Sequence, residues 1–179
     1  HQARQALEAI PMARDAGFDN LGIDLIYGLP SPPEDAFAAW IATLRTTLSF
    51  HPEHLSCYQL TVEPDTPLAA LLQEGKMAIT NSDLQARYFF RTAEILEEAG
   101  YQHYEVSNFA REDRFHSRHN SKYWNHTPYL GLGPAAHSFD GRQRRWNHRS
   151  VAAYRKDLAA GKPPVADSEV LSDEQLRLE

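Results

Sequence analysis

Asp24 stands between Ile23 and Leu25 in LGIDLIY, residues 21–27, a run otherwise apolar on both faces. An ionised carboxylate inside such a run is costly to bury unless something pairs with it. Asp24 is therefore a candidate for ligand binding and equally for a structural ion pair, and Glu105 in YQHYEVSNF, residues 101–109, has the same ambiguity. A second concentration of reactive types lies in residues 111–149. His116, His119, His126, His137 and His148 occur there among aromatic side chains, in HNSKYW at 119–124 and AAHSF at 135–139, with Tyr129 and the turn Gly131, Leu132, Gly133 between them. Histidine can ligate a metal ion or a haem iron, while tyrosine and tryptophan offer flat apolar faces to a planar ring and a polar edge to its substituents. From residue types alone, a loop pinned by aromatic packing accounts for the same string.

Other chemistries lack their patterns. No H-E-x-x-H helix is present and Cys57 is the only cysteine, so the usual zinc spacings are missing despite the histidines. There is no G-x-G-x-x-G, no G-x-x-x-x-G-K-[ST] and no G-x-S-x-G, which removes support for a dinucleotide fold, a phosphate loop and a serine hydrolase. A metal-dependent TIM-barrel hydrolase needs histidine and carboxylate ligands at successive strand ends. Asp24, His103 and Glu105 are what the strands offer it.

Three strand-like segments position these residues: 21–27, 55–62 and 101–109. Helices connect them. Ser31 and Glu34 make a capping box with Pro32 and Pro33 in the first turn, followed by Phe37, Trp40, Ile41, Leu44 and Leu48 at helical spacing, and that helix ends before Pro52. A second starts at Asn81 or Ser82, turns Leu84, Tyr88, Ile95 and Leu96 inward, and stops at Gly100. Residues 64–75 read as a loop with one short helix. Residues 2–16 form a helix with Ala3, Ala6, Leu7, Ile10 and Ala13 on one face, kinked at Pro11. Ser172 and Gln175 begin a last helix with a capping box. Such alternation predicts an α/β fold of parallel strands with right-handed crossovers, either an open sheet or a barrel, with chemistry at the strands' carboxyl ends. After residue 110 the helical period is lost.

The 179 residues carry a net charge of −6 and are 42% hydrophobic and 23% charged. This is the composition of an ordinary globular domain, and it gives no general reason to approach a nucleic-acid backbone. The single cysteine permits no internal disulfide and predicts a reducing, cytoplasmic setting. No run approaches the ~20 apolar residues of a membrane span. A helix that starts at the first residues and another that has hardly begun at the last read as a fragment of a longer protein.

Taken in order, GIDLIYGLP at 22–30, YQLTVEPDTPL at 58–68, GYQHYEVSNFAR at 100–111, HNSKYW at 119–124 and YLGLGPAAHSF at 129–139 resemble the HemW family of radical SAM haem chaperones, also described as oxygen-independent coproporphyrinogen III oxidase-like. The resemblance implies the later half of a partial TIM-type (β/α)6 barrel over residues 1–110, an H-N-x-x-Y-W loop and barrel end over 111–149, and a linker with the start of a smaller C-terminal region over 150–179. It implies three cofactors for the intact protein: SAM, a four-iron four-sulfur cluster and haem. The family's C-x-x-x-C-x-x-C cluster ligands are absent from this sequence, and Cys57 is not one of them, so the fragment alone is expected to be inactive. Asp24 matches an aspartate that contacts SAM, and Thr61 and His137 fall where the related true oxidase contacts its SAM molecules. His119, Asn120, Tyr123 and Trp124 match the haem-binding signature, with His119 as iron ligand. That signature is absent from the true coproporphyrinogen III oxidase, so delivery of haem to an acceptor protein is favoured over porphyrin decarboxylation. The implied partners are a haem acceptor, a second copy in a homodimer, and a membrane met transiently during delivery.

Overall fold

In the computed structural model, which describes residues 2–30 and 33–178, the first apolar stripe forms α1 (Ala3–Asp15), a helix that continues through Pro11. The following strand, β1 (Gly22–Tyr27), alternates rather than burying both faces: Ile23, Leu25 and Tyr27 point to the core, while Gly22, Asp24 and Ile26 are exposed. Helix α2 (Pro33–Leu48) follows, and the capping box predicted from Ser31 and Glu34 with Pro32 and Pro33 lies outside the described residues. Strand β2 (His54–Gln59) is shorter than the 55–62 segment and pairs with β1 in parallel, Asp24 opposite Ser56.

Local capping sets the next helices. Thr66 caps α3 (Pro67–Gln73), the short helix expected within residues 64–75. The Asn81 side chain accepts from the Leu84 N–H at 2.9 Å at the start of α4 (Ser82–Glu98), and Gly100 takes a φ of 86° just past its end, the left-handed conformation that glycine adopts without strain.

Residues 101–109 are not one strand. They fold into a hairpin of β3 (Gln102–Glu105) and β4 (Asn108–Ala110), with the turn at Val106 and Ser107. The Glu105 carboxylate closes that turn, accepting from Ser107 N–H at 3.1 Å and Asn108 Nδ2 at 2.6 Å. Strand β4 runs antiparallel to β2, so the sheet order is β1-β2-β4-β3 and only β1–β2 is parallel. The expectation of parallel strands throughout is corrected accordingly. Helices α2 and α4 cover one face of this sheet over Tyr27, Trp40, Leu44, Leu55, Cys57, Tyr88, Ile95, Leu96 and Phe109. Inside that core Trp40 Nε1 donates to Thr92 Oγ1 at 2.8 Å, and the same hydroxyl donates to Tyr88 O, so both buried polar groups are satisfied.

These elements and a 3-10 turn, Asp113–Phe115, make one unit, His1–His116; the second is Ser117–Glu179. It opens with α5 (Arg118–Trp124), capped by Ser117 Oγ on the Asn120 N–H. The HNSKYW string is therefore a helix, not a loop. An antiparallel sheet of β5 (His137–Phe139), β6 (Gln143–Asn147) and β7 (Val165–Val170) follows, with α6 (Val151–Ala159) between the last two strands. This sheet runs across residue 150, where the sequence suggested the start of a separate region. Helix α7 (Asp173–Leu178) begins with the predicted box: Ser172 N–H donates to Gln175 Oε1 at 2.9 Å and Gln175 N–H to Ser172 Oγ at 3.2 Å. Among the described residues no helix is long and apolar enough to cross a membrane.

Candidate functional site

The face of the first sheet opposite the helices is polar. Strand alternation brings Asp24, Ser56 and Asn108 into one row across β1, β2 and β4, and Glu105 extends it on β3. Asp24 itself is exposed and makes no hydrogen bond or ion pair among the described residues. The premise that it is a carboxylate inside a doubly apolar strand is thus corrected, because Gly22 and Ile26 share its exposed face. Ser56 and Asn108 beside it are buried, at 3% and 2% exposure, and Asn108 Oδ1 has no hydrogen-bond partner among the described residues.

One step along, His54 leans over Gly22 and meets the Tyr104 hydroxyl through Nε2 at 2.6 Å, while the Tyr104 ring stacks on His116 at 3.9 Å. Burial pushes the His54 pKa down and His116 adds to that, against the opposing pull of Asp24. Below them Glu53 accepts from Leu21 N–H at 2.8 Å and from Arg14. On the helix-covered side, burial first and the Asp24 charge second push the Cys57 thiol up to about 12. As the only cysteine of the chain it falls short of the several thiolates that an iron–sulfur cluster needs.

Helix α5 carries the second candidate. His119 and Tyr123, four residues apart, lie on one face and meet edge to face at 5.0 Å; Tyr123 meets Tyr129 the same way at 4.8 Å. Asn120 and Trp124 share the adjacent stripe. His119, Tyr123 and Trp124 are all exposed, and the His119 ring has no hydrogen-bond partner among the described residues. An open imidazole flanked by aromatic rings suits a planar ligand that offers a metal.

Tyr129 also lines a cavity of about 570 Å³ within the second unit, together with His137, Arg144, Trp146, Arg149 and Glu169. His137 and Trp146 stack across the β5–β6 pair at 5.6 Å. Asn147, which lines the cavity, is held by the Gly131 to Gly133 turn. Asn147 Nδ2 donates to Gly133 O at 2.9 Å, Gly133 N–H donates to the Tyr154 hydroxyl at 3.1 Å, and Gly131 N–H donates to Ser138 Oγ at 3.0 Å. A Cβ at Gly131 would lie 2.0 Å from His137 O, so only glycine fits.

The sequence candidates therefore fall into two groups. Asp24 and Thr61 belong to the first unit, where Thr61 is exposed two residues beyond β2; the haem-signature residues and His137 belong to the second. The five histidines do not converge: no group of three or more His, Cys, Asp or Glu side chains among the described residues is placed to share a metal ion. His103, one of the ligands the hydrolase reading required, stacks on Phe109 at 4.2 Å, and Glu105 is engaged with Asn108. Sequence reasoning missed His54, Ser56, Asn108 and Arg149. The first two were legible in principle, since residues 54, 56 and 58 alternate in phase with 22, 24 and 26.

No family model matches the chain. The heme chaperone HemW of Synechocystis is 37% identical over 144 residues, covering 80% of this chain and 34% of that protein. The heme chaperone HemW of Bacillus subtilis is 32% identical over 180 residues, covering 100% of this chain and 46% of the relative. A mouse relative, radical S-adenosyl methionine domain-containing protein 1, mitochondrial, is 39% identical over 76% of this chain and 30% of its own length. The chain thus spans less than half the length of the curated relatives it matches. Among solved structures, coproporphyrinogen III oxidase (HemN) from Escherichia coli, a radical SAM enzyme, superposes with a TM-score of 0.71 over 98% of this chain and 42% of that one. At 21% identity that likeness shows the fold alone.

Proposed function

Because the chain belongs to the HemW-like family of radical SAM proteins, we propose that it forms part of a haem-binding protein of that family that passes haem to acceptor proteins. The observation that carries this reading is helix α5, which exposes the His119 imidazole, without a hydrogen-bond partner among the described residues, beside Tyr123 and Trp124. His119 ligates the haem iron, Tyr123 and Trp124 flank the macrocycle, and Asn120 serves one of its polar edges. Bound haem supplies an iron with an open coordination site, and exposure of the helix suits a ligand that must leave again.

In the same reading the first sheet is part of a (β/α) barrel wall, with its helix-covered apolar face outward and its polar face inward. Asp24 on that inner face binds SAM, assisted by Thr61 beyond β2. The iron–sulfur cluster finds no ligand set in this chain, since Cys57 is its only cysteine and is buried; its ligands belong to another part of the protein. The acceptor is a second protein that offers its own iron ligand.

The test is titration of the full-length protein with haem. His119→Ala is expected to weaken binding and shift the Soret band, while an unchanged spectrum and affinity would remove His119 as ligand. Decarboxylation of coproporphyrinogen III by the wild-type protein would favour the oxidase instead.

A further inference from the structure

The cavity beside Tyr129 is joined to His119 by ring contacts alone. His119 meets Tyr123, Tyr123 meets Tyr129, and Tyr129 forms one wall of the cavity. Flat surfaces continue inside, where His137 stacks on Trp146. Two cationic side chains, Arg144 and Arg149, line the same space. Arg144 is engaged with Glu169 at 3.1 Å, whereas Arg149 is exposed and has no hydrogen-bond or ion-pair partner among the described residues. Its volume of about 570 Å³ is that of a site for a ligand of a few hundred daltons. Aromatic walls with one uncommitted guanidinium recognise a planar apolar ligand that carries a carboxylate, because arginine offers a planar fork of donors to that group.

We propose that Arg149 binds a carboxylate of the planar ligand held at α5, so that a tetrapyrrole ligated by His119 extends its propionate edge along Tyr129 into the cavity walled by Trp146. This rests on the haem-binding reading and adds the second anchor. One imidazole fixes a single point of a flat disc and leaves it free to turn. A charged contact on the rim sets its orientation and selects porphyrins with free carboxylates over those without.

The experiment uses the full-length protein with three probes: haem, haem dimethyl ester, whose propionates are blocked, and SAM, whose amino-acid end is the other source of a carboxylate. Wild-type protein is expected to bind haem about tenfold more tightly than the ester, which corresponds to about 1.4 kcal/mol. Arg149→Ala should reduce haem affinity to that of the ester while leaving ester affinity and the haem absorption spectrum unchanged, and Arg149→Lys should fall between. His119→Ala should weaken both porphyrins. An Arg149→Ala protein that keeps the wild-type preference for haem over its ester, with His119→Ala still impaired, overturns the inference and leaves the haem reading standing. If neither substitution affects haem, both fail. Loss of SAM binding alone in Arg149→Ala would assign the cavity's carboxylate to SAM and overturn the inference as well.

Discussion

His119 and Tyr123 stand edge to face with their ring centroids 5.0 Å apart, as side chains four residues apart on one helix can. The pair has a testable role apart from iron ligation. Tyr123→Leu keeps α5 helical and leaves the imidazole in place but removes the flat face, so haem affinity should fall by about 0.5–1.5 kcal/mol, the worth of an aromatic pair, with the Soret position retained. Titration followed by absorption separates the two effects; a shifted band would mean that the tyrosine, not the histidine, reaches the iron.

Asp24 is itself exposed and makes no hydrogen bond or ion pair among the described residues, so its removal has little to disturb in the fold. Asp24→Asn should change stability by no more than about 0.5 kcal/mol while raising the SAM dissociation constant. The same substitution removes the charge that opposes the depression of the His54 pKa, and the His54 resonance should then titrate lower still. Calorimetry and NMR titration read the two. A large drop in thermal midpoint with SAM affinity intact would return Asp24 to a structural role.

Glu53 ties α1 to the strands. Burial favours its protonated form, but the Leu21 N–H and the Arg14 guanidinium outweigh burial and hold the carboxyl below its ordinary 4.5. A group with a lowered folded-state pKa contributes stability that is present above its unfolded pKa and lost as pH falls through the folded value. Glu53→Gln should therefore cost about 1.5–3 kcal/mol at neutral pH, the range of hydrogen bonds to charged groups. The gap from wild type should close as pH drops below 4.5. Urea denaturation at several pH values measures it, and a gap independent of pH would show that the charge is not what Glu53 contributes.

Gly131 is required for space and not for backbone freedom, since a Cβ there would meet His137 O at 2.0 Å. Gly131→Ala must separate the turn from β5, and overpacking of this kind costs about 1–3 kcal/mol. Because the turn is hydrogen-bonded to Asn147 in the cavity lining, the substitution should also loosen haem binding, in the range expected for Arg149→Ala. Unchanged denaturation midpoints would contradict the close approach.

Helix ends were the most legible feature of this chain. Asn81, Gly100 and the Ser172–Gln175 pair act on backbone groups within a few residues, so their effect is written in neighbouring letters. HNSKYW was harder. Its residues are spaced for one helix face, but seven residues (Arg118–Trp124) are too few to display a period, and the polar, aromatic context resembled a loop. The family was readable because five separated strings occur in one order.

The sequence by itself determined the helices α1 to α4 and α7, where α4 and α7 begin, and that strand and helix alternate up to residue 110. Only the tertiary structure decided that residues 101–109 turn back on themselves at Val106 and Ser107, that Asp24 faces away from the core, and that Arg149 meets Trp146 and Tyr129 around one cavity. The difference is one of range. A cap or an apolar stripe is satisfied by residues a turn away, whereas strand direction and the choice of buried face depend on partners far along the chain. His54 pairs with Ala110 and Asp24 with Ser56, and no local window of the sequence contains both members of either pair.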